Sequence, residues 1–128
     1  MPRRPHKGRV VFLLRLKPGS VVAFLAAYER IRQDVAGVEG HIVDQVCRLR
    51  NGGNTWLITS EWETLECFLN WERSEAHREL AKPLRECIAS AQSMKFDVIE
   101  ETRLPRPGVI AAADADDAKG VYKWFDAA

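Results

Sequence analysis

The hydrophobic period of this chain switches repeatedly along its length, and the order of the switches restricts the fold more than any single motif does. Val10-Val11-Phe12-Leu13-Leu14-Arg15-Leu16 is β-branched and aromatic at its start and halts at the turn residues Lys17-Pro18-Gly19, so it reads as a strand. Ser20 stands where a helix N-cap belongs, and Val21, Phe24, Leu25, Tyr28, Ile31 and Val35 recur at helical spacing until Gly37 offers a C-cap. Polar and apolar residues alternate from His41 to Leu49 and again from Thr55 to Glu63. The turn Asn51-Gly52-Gly53-Asn54 between them predicts a hairpin. Thr64 caps a short helix carrying Leu65, Phe68 and Leu69. Ser74 followed by Glu75 opens another that runs towards Ile88 and is expected to kink at Pro83. Alternation resumes from Met94 to Arg103, with Phe96 and Val98 opposite Asp97 and Ile99, and stops at Leu104-Pro105-Arg106-Pro107-Gly108, which gives a fourth strand.

Strand, helix, strand, strand, helix, strand is the split βαβ order of a ferredoxin-like α+β domain (βαββαβ) with a four-stranded antiparallel sheet. The helical segments then cover one sheet face. The first strand turns Val10, Phe12 and Leu14 one way and Val11 and Leu13 the other, so the second face is apolar as well. An uncovered apolar sheet exceeds the patch that monomers ordinarily expose, and a second copy of the chain is the economical cover. The expected assembly is a face-to-face homodimer. Residues 1–8 read as a basic arm, 9–104 as the folded domain and 105–128 as a tail. The Ala- and Asp-rich linker Ala111 to Ala118 precedes the aromatic group Gly120-Val121-Tyr122-Lys123-Trp124-Phe125, which either docks on the domain or frays.

A chain of 128 residues, 46% hydrophobic and 29% charged, has enough material for one self-sufficient core and needs no disulfide framework. Nineteen Lys and Arg against eighteen Asp and Glu leave a formal charge of +1, which gives no overall field for nucleic acid or an anionic membrane. The longest apolar run, Val21 to Tyr28, is far shorter than a membrane-spanning helix, and Arg15 interrupts the apolar stretch behind Arg3, Arg4 and Lys7 before it reaches signal-peptide length. A cytoplasmic location is the expectation. Cys47, Cys67 and Cys87 are odd in number, lack CxxC or CxxH spacing and read as buried inert thiols, so no metal site is expected. Phosphate loops, GxSxG elbows and paired-carboxylate constellations are also missing, which leaves nucleotide enzymes and common hydrolases without support. The arm residues Arg3, Arg4, Lys7 and Arg9 suit an acidic partner or a phosphate-bearing carrier, against the plainer reading of a solvated terminus.

The run Asn54 to His77 carries a strand ending in Trp62-Glu63, a short helix and then Ser74-x-x-His77, and in this it resembles the antibiotic biosynthesis monooxygenase family of dimeric α+β barrels. Leu16-Lys-Pro-Gly19 ahead of the first helix and Val38-Glu-Gly-His41 at the second strand extend the likeness over residues 9 to about 103. The resemblance implies an enzyme that uses no cofactor and oxidises a small hydrophobic aromatic or polyketide-type substrate with molecular oxygen, as part of secondary metabolism. In the cofactor-free branch of that family an Asn precedes the Trp by four residues and a Tyr follows it by six; Ile58 and Phe68 hold those places here. In the heme-degrading branch an Asn on the first strand and a His seven residues after the Ser are needed; Phe12 and Ala81 stand there, while Trp71 matches. A cyclase or isomerase using the same pocket, or a noncatalytic binding subunit, are the alternatives.

Cofactor-free oxygenation asks of the protein only an apolar cavity, a polar handle for the substrate anion and a base. Trp62 and His77 are the candidate catalytic residues, and Phe24, Tyr28, Phe68, Trp71 and Arg85 the candidate substrate-binding ones. Each aromatic has plain core packing as its alternative. His77 lies in the first turn of a helix, where the dipole favours the neutral imidazole and hence a base or acceptor; a surface or capping histidine is the alternative. Arg78, Lys82 and Arg85 on the same helix can set a cation near an oxyanion, or form a solvated face. Beyond its family position, nothing distinguishes His41 from a surface residue.

Overall fold

A computed structural model describes residues 5–105, so residues 1–4 of the basic arm and the tail from residue 106, with its aromatic group, lie outside the described residues. The elements are β1 (Gly8–Leu16), α1 (Val21–Val35), β2 (His41–Arg48), β3 (Thr55–Trp62), α2 (Leu65–Glu72), α3 (Glu75–Glu86) and β4 (Ile88–Asp97). The sheet is antiparallel in the order β2-β3-β1-β4. The ferredoxin-like α+β architecture expected from the periodicities is therefore present.

Register decides which residues reach the helices. On the central pair, Val10 lies opposite Ser60, Phe12 opposite Ile58 and Leu14 opposite Trp56. This set packs beneath the helices, in two clusters: Leu14, Phe24, Tyr28 and Trp56 in one, and Val10, Val35, Trp62 and Phe68 in the other. The alternate set, Val11 against Thr59 and Leu13 against Leu57, points away from them. That open face keeps large hydrophobics at its surface, with Leu13 40%, Val43 39% and Phe96 48% exposed. It is not wholly apolar. Glu61, only 5% exposed, is held there by Arg9 at 3.1 Å and by Arg103 at 3.2 Å, which brings the segment after β4 back towards β3.

Capping follows the local chemistry at two helices out of three. The Thr64 hydroxyl accepts from the Cys67 N–H, and the Ser74 hydroxyl accepts from the His77 N–H, which satisfies orphan donors at the starts of α2 and α3. Ser20 holds the N-cap position of α1 without a side-chain bond. At its other end α1 closes on Ala36 in right-handed conformation rather than on a left-handed Gly37. The chain reverses at Gly40 instead, where φ is +85° and a Cβ would sit 2.4 Å from the Cys67 sulfur. Helix α3 continues through Pro83.

Two further expectations are corrected. The fourth strand begins at Ile88 rather than Met94 and ends at Asp97 rather than Arg103, because its ladder follows β1 from Leu16 opposite Ile88 to Gly8 opposite Asp97. Ala89-Ser90-Ala91-Gln92-Ser93 is exposed on both sides of an edge strand, so no burial imposes an apolar alternation that could announce it. Of the cysteines, Cys87 is buried and Cys67 partly so, but Cys47 is exposed because it lies opposite Leu57 in the set that faces away from the helices.

Gly40→Ala is expected to lower stability by about 1–2 kcal/mol from the left-handed backbone alone, with the Cys67 contact adding to it. Gly37→Ala, where the backbone is not left-handed and the nearest atom to a new Cβ is 4.0 Å away, should stay within about 0.5 kcal/mol of the parent. Urea unfolding midpoints of the two variants check the difference.

Candidate functional site

Between the helix-facing side of the sheet and α1, α2 and α3 lies a cavity of about 420 Å³. Its walls are mostly apolar: Val10, Phe12 and Ile58 from the sheet, Ile31 and Val35 from α1, Ala81 and Leu84 from α3. Phe12 and Ala81, at the two polar positions of the heme-degrading pattern, are thus both wall residues.

One end is built from four aromatic rings. Trp62, at the end of β3 and 0% exposed, stacks on Trp71 at 5.8 Å and 29° and meets Phe68 edge-on at 5.5 Å. Trp71 in turn meets the His77 ring at 4.6 Å and 76°. These contacts are possible because Phe68 and Trp71 are three residues apart on one face of α2, while the Ser74 cap starts α3 in the position that brings His77 onto Trp71. The indole N–H groups are occupied: Trp62 donates to the Ser60 hydroxyl at 2.9 Å and Trp71 to the Asp34 carboxylate at 3.4 Å.

Polar groups enter the cavity at a few points. His77, Arg78, Arg85 and Glu72 come from α2 and α3, and Asp44 and Ser60 from the sheet. Burial holds the His77 pKa below the usual histidine value, Arg85 adds to the depression, and the field of Glu72 opposes it. The neutral ring is a proton acceptor at neutral pH. Tyr28 on α1 donates its hydroxyl hydrogen bond to Asp44 Oδ2, while Asp44 Oδ1 is 3.1 Å from His41 Nε2. Burial, reinforced by that carboxylate, pushes the Tyr28 phenol up, so it remains protonated.

Of the residues singled out from the sequence, Trp62, His77, Tyr28, Phe68, Trp71 and Arg85 all line this one cavity. Phe24 does not. It is completely buried against Trp56, with ring centroids 5.5 Å apart, in the other core cluster. Arg78 reaches the cavity, whereas Lys82 pairs with Glu79 at the surface. Asp44, Ser60 and Glu72 carry no such motif signal in the sequence, and the His41 side chain is largely buried, edge-on to Trp62 at 5.2 Å. The one available signal was Asp44 itself, a charged residue three positions from His41 in a strand whose neighbours alternate towards a core.

Because the fold holds His77 neutral, the unfolded chain binds the additional proton as pH falls below about 6.5. Its stabilising contribution is complete above that value and is lost on acidification towards the lower folded pKa. Between pH of about 7.5 and 5.5 the wild type should therefore lose more thermal stability than His77→Gln, as read by melting temperatures across the series. Trp62→Ala should cost about 3–5 kcal/mol, the usual range for deleting a buried large aromatic, measured by chemical denaturation.

The protein-family model described as "Antibiotic biosynthesis monooxygenase" matches residues 8–83. Protein SchA of Streptomyces halstedii is 44% identical over 105 residues, 82% of this chain and 28% of that protein. The 42.8 kDa protein in the whiE locus of Streptomyces coelicolor is 42% identical over 99 residues, 77% of this chain and 25% of that protein. The chain thus spans about a quarter of the length of these curated relatives. Among solved structures, SnoaB of Streptomyces nogalater, a cofactor-independent oxygenase, superposes with a TM-score of 0.68 at 17% identity, covering 79% of this chain and 99% of SnoaB; at that identity it speaks for the fold alone. The family match from β1 through most of α3, on the fold those strands and helices build, makes this chain a member of the antibiotic biosynthesis monooxygenase family.

Proposed function

We propose that this chain is a cofactor-independent oxygenase for a small hydrophobic aromatic of polyketide type, acting as a cytoplasmic homodimer. The observation that carries this reading is the aromatic cavity of about 420 Å³ with a neutral histidine in its wall. A volume in the range of small-molecule sites, about 300–1,000 Å³, lined by apolar rings with few polar groups, is the ordinary form of such a pocket. Relationship to a polyketide synthase protein, CurD of Streptomyces cyaneus at 42% identity over 79 residues, supports the substrate class.

The chemistry requires little machinery. An anthrone-type CH₂ between two aromatic rings is acidified by its carbonyl, and His77 takes its proton. The resulting anion passes an electron to molecular oxygen, and recombination followed by loss of water leaves a carbonyl. The peroxide formed on recombination takes back the proton from His77 before water leaves, so one oxygen atom ends in the product and the other in water. Going from CH₂ to carbonyl the substrate supplies all four electrons that reduce O₂, and no further reductant enters. Trp62, Phe68 and Trp71 keep water from the anion, and Arg78 and Arg85 place positive charge near its oxygen.

Ile58 and Phe68 give a specific ground for a second reading. Both put hydrocarbon into the cavity where the cofactor-free branch has Asn and Tyr, which suits a cyclase, an isomerase or a noncatalytic binding protein. Dimerisation is supported by the exposed Leu13, Val43 and Phe96 on the open sheet face.

Oxygen consumption with a model anthrone is expected in proportion to protein, and His77→Ala should reduce turnover by about 10²-fold or more while leaving the fold intact. Binding of the anthrone without oxygen consumption would select the second reading. Light scattering is expected to give twice the chain mass of 14.5 kDa.

A further inference from the structure

The cavity carries a second polar cluster that the oxygenase chemistry above does not use. Tyr28 on α1 and Asp44 on β2 both line it, and His41 stands behind Asp44. All three side chains are largely buried, with Asp44 and His41 at 9% and 10% exposure. Their hydrogen bonds determine what is left for a ligand. Tyr28 has a single O–H, and it is spent on Asp44 Oδ2; Asp44 Oδ1 is matched to the His41 ring nitrogen. A tyrosine oxygen with its proton committed, and a carboxylate with lone pairs to spare, can only accept further hydrogen bonds. Elsewhere in the cavity the arrangement is different: Arg78 and Arg85 are obligate donors, and the Ser60 oxygen already accepts from Trp62. Glu72, the other carboxylate, lies beside His77 and acts on it.

We propose that Tyr28 and Asp44, with His41 as a positioning residue, form an acceptor site that selects aromatic ligands bearing a free phenolic or enolic hydroxyl. The proposal rests on the reading of the cavity as an aromatic-substrate site and adds the substituent it requires. A hydroxyl hydrogen placed there completes a buried acceptor, whereas an ether or a bare ring leaves that acceptor unpaired and desolvated. Sites built to bond a substrate hydroxyl reject analogues without one far better than they discriminate by size alone. Tyr28 remains a phenol because burial and Asp44 push its pKa up, which preserves the donor–acceptor order of the cluster.

The test is binding of 2,6-dihydroxyanthraquinone and its dimethyl ether to the full chain, followed by quenching of tryptophan fluorescence. The wild type should prefer the dihydroxy compound by about tenfold or more, the worth of a buried hydrogen bond to a charged group. Tyr28→Phe and Asp44→Asn should each bring the ratio of the two dissociation constants towards one while changing the affinity for the ether little. His41→Gln, which retains a donor at similar reach, should keep the ratio and His41→Phe should lose it; equal ratios in both variants would remove His41 from the site. An unchanged ratio in both folded Tyr28→Phe and Asp44→Asn overturns the proposal, and so does failure of the wild type to bind either compound. Oxygen uptake decides separately: selectivity without uptake keeps this site and rejects the oxygenase, and uptake with no loss of selectivity in these variants does the reverse.

Discussion

Everything near the cavity depends on the burial of Trp62. This side chain ends the central strand β3 and is in contact with one ring from α2 above, another further along the same helix, and the imidazole of His41 at the start of β2. Such a cluster gains from area burial and from the edge and stacked geometries of its rings. The cavity lies beside this cluster, with Phe12 and Ile58, paired across β1 and β3, in its wall. A well-packed interior tolerates few voids larger than a water molecule, so a space of this size walled by otherwise interlocked side chains has to be held open by its walls.

The polar groups divide along the elements that carry them. Helix α3 brings the arginine donors and a neutral imidazole and the end of α2 the Glu72 carboxylate, while α1 and the edge strand β2 bring acceptors already linked to one another. A substrate with a carbonyl or anionic oxygen at one place and a hydroxyl at another matches both. Family membership does not by itself choose a reaction, since one fold hosts many chemistries through different site residues. What this chain places in its cavity is therefore the better guide, and Ile58, Phe68 and Ala81 make its walls more hydrocarbon than the patterns it most resembles.

The opposite face of the sheet has its own logic. Glu61 lies between Arg9 on β1 and Val43 on β2, and its buried carboxylate is bonded by Arg9 and Arg103. A carboxylate in that setting without a partner would carry a large desolvation cost. The segment after β4 is thereby drawn across the end of the sheet, where the Val98 N–H also bonds the Lys7 carbonyl at 2.8 Å and Lys7 pairs with Glu101. The open face is consequently part ionic and part apolar, with Phe96 beside Arg9 at the ionic end and Leu13 beside Leu57 further along the sheet.

The element order, the hairpin, the caps of α2 and α3 and the fold class are legible in the residues alone, because these rest on periodicities and side-chain chemistry that act within a few residues. The sequence also singles out Trp62, Phe68, Trp71 and His77, which lie within one short stretch of chain and come together through α2 and its junction with α3. Features that depend on a distant partner emerge only once the chain is folded. The start of β4 follows the length of β1, not its own pattern. Phe24 and Tyr28 sit on the same face of α1, yet Phe24 packs against Trp56 in the closed core while Tyr28 reaches the cavity and bonds Asp44 on β2. Asp44 reads in the sequence as one polar residue in an alternating strand. It becomes part of a site only when α1 lays Tyr28 across β2 and the irregularity in β2 between His41 and Val43 turns His41 and Asp44, three residues apart, to the same side, which regular alternation would not do.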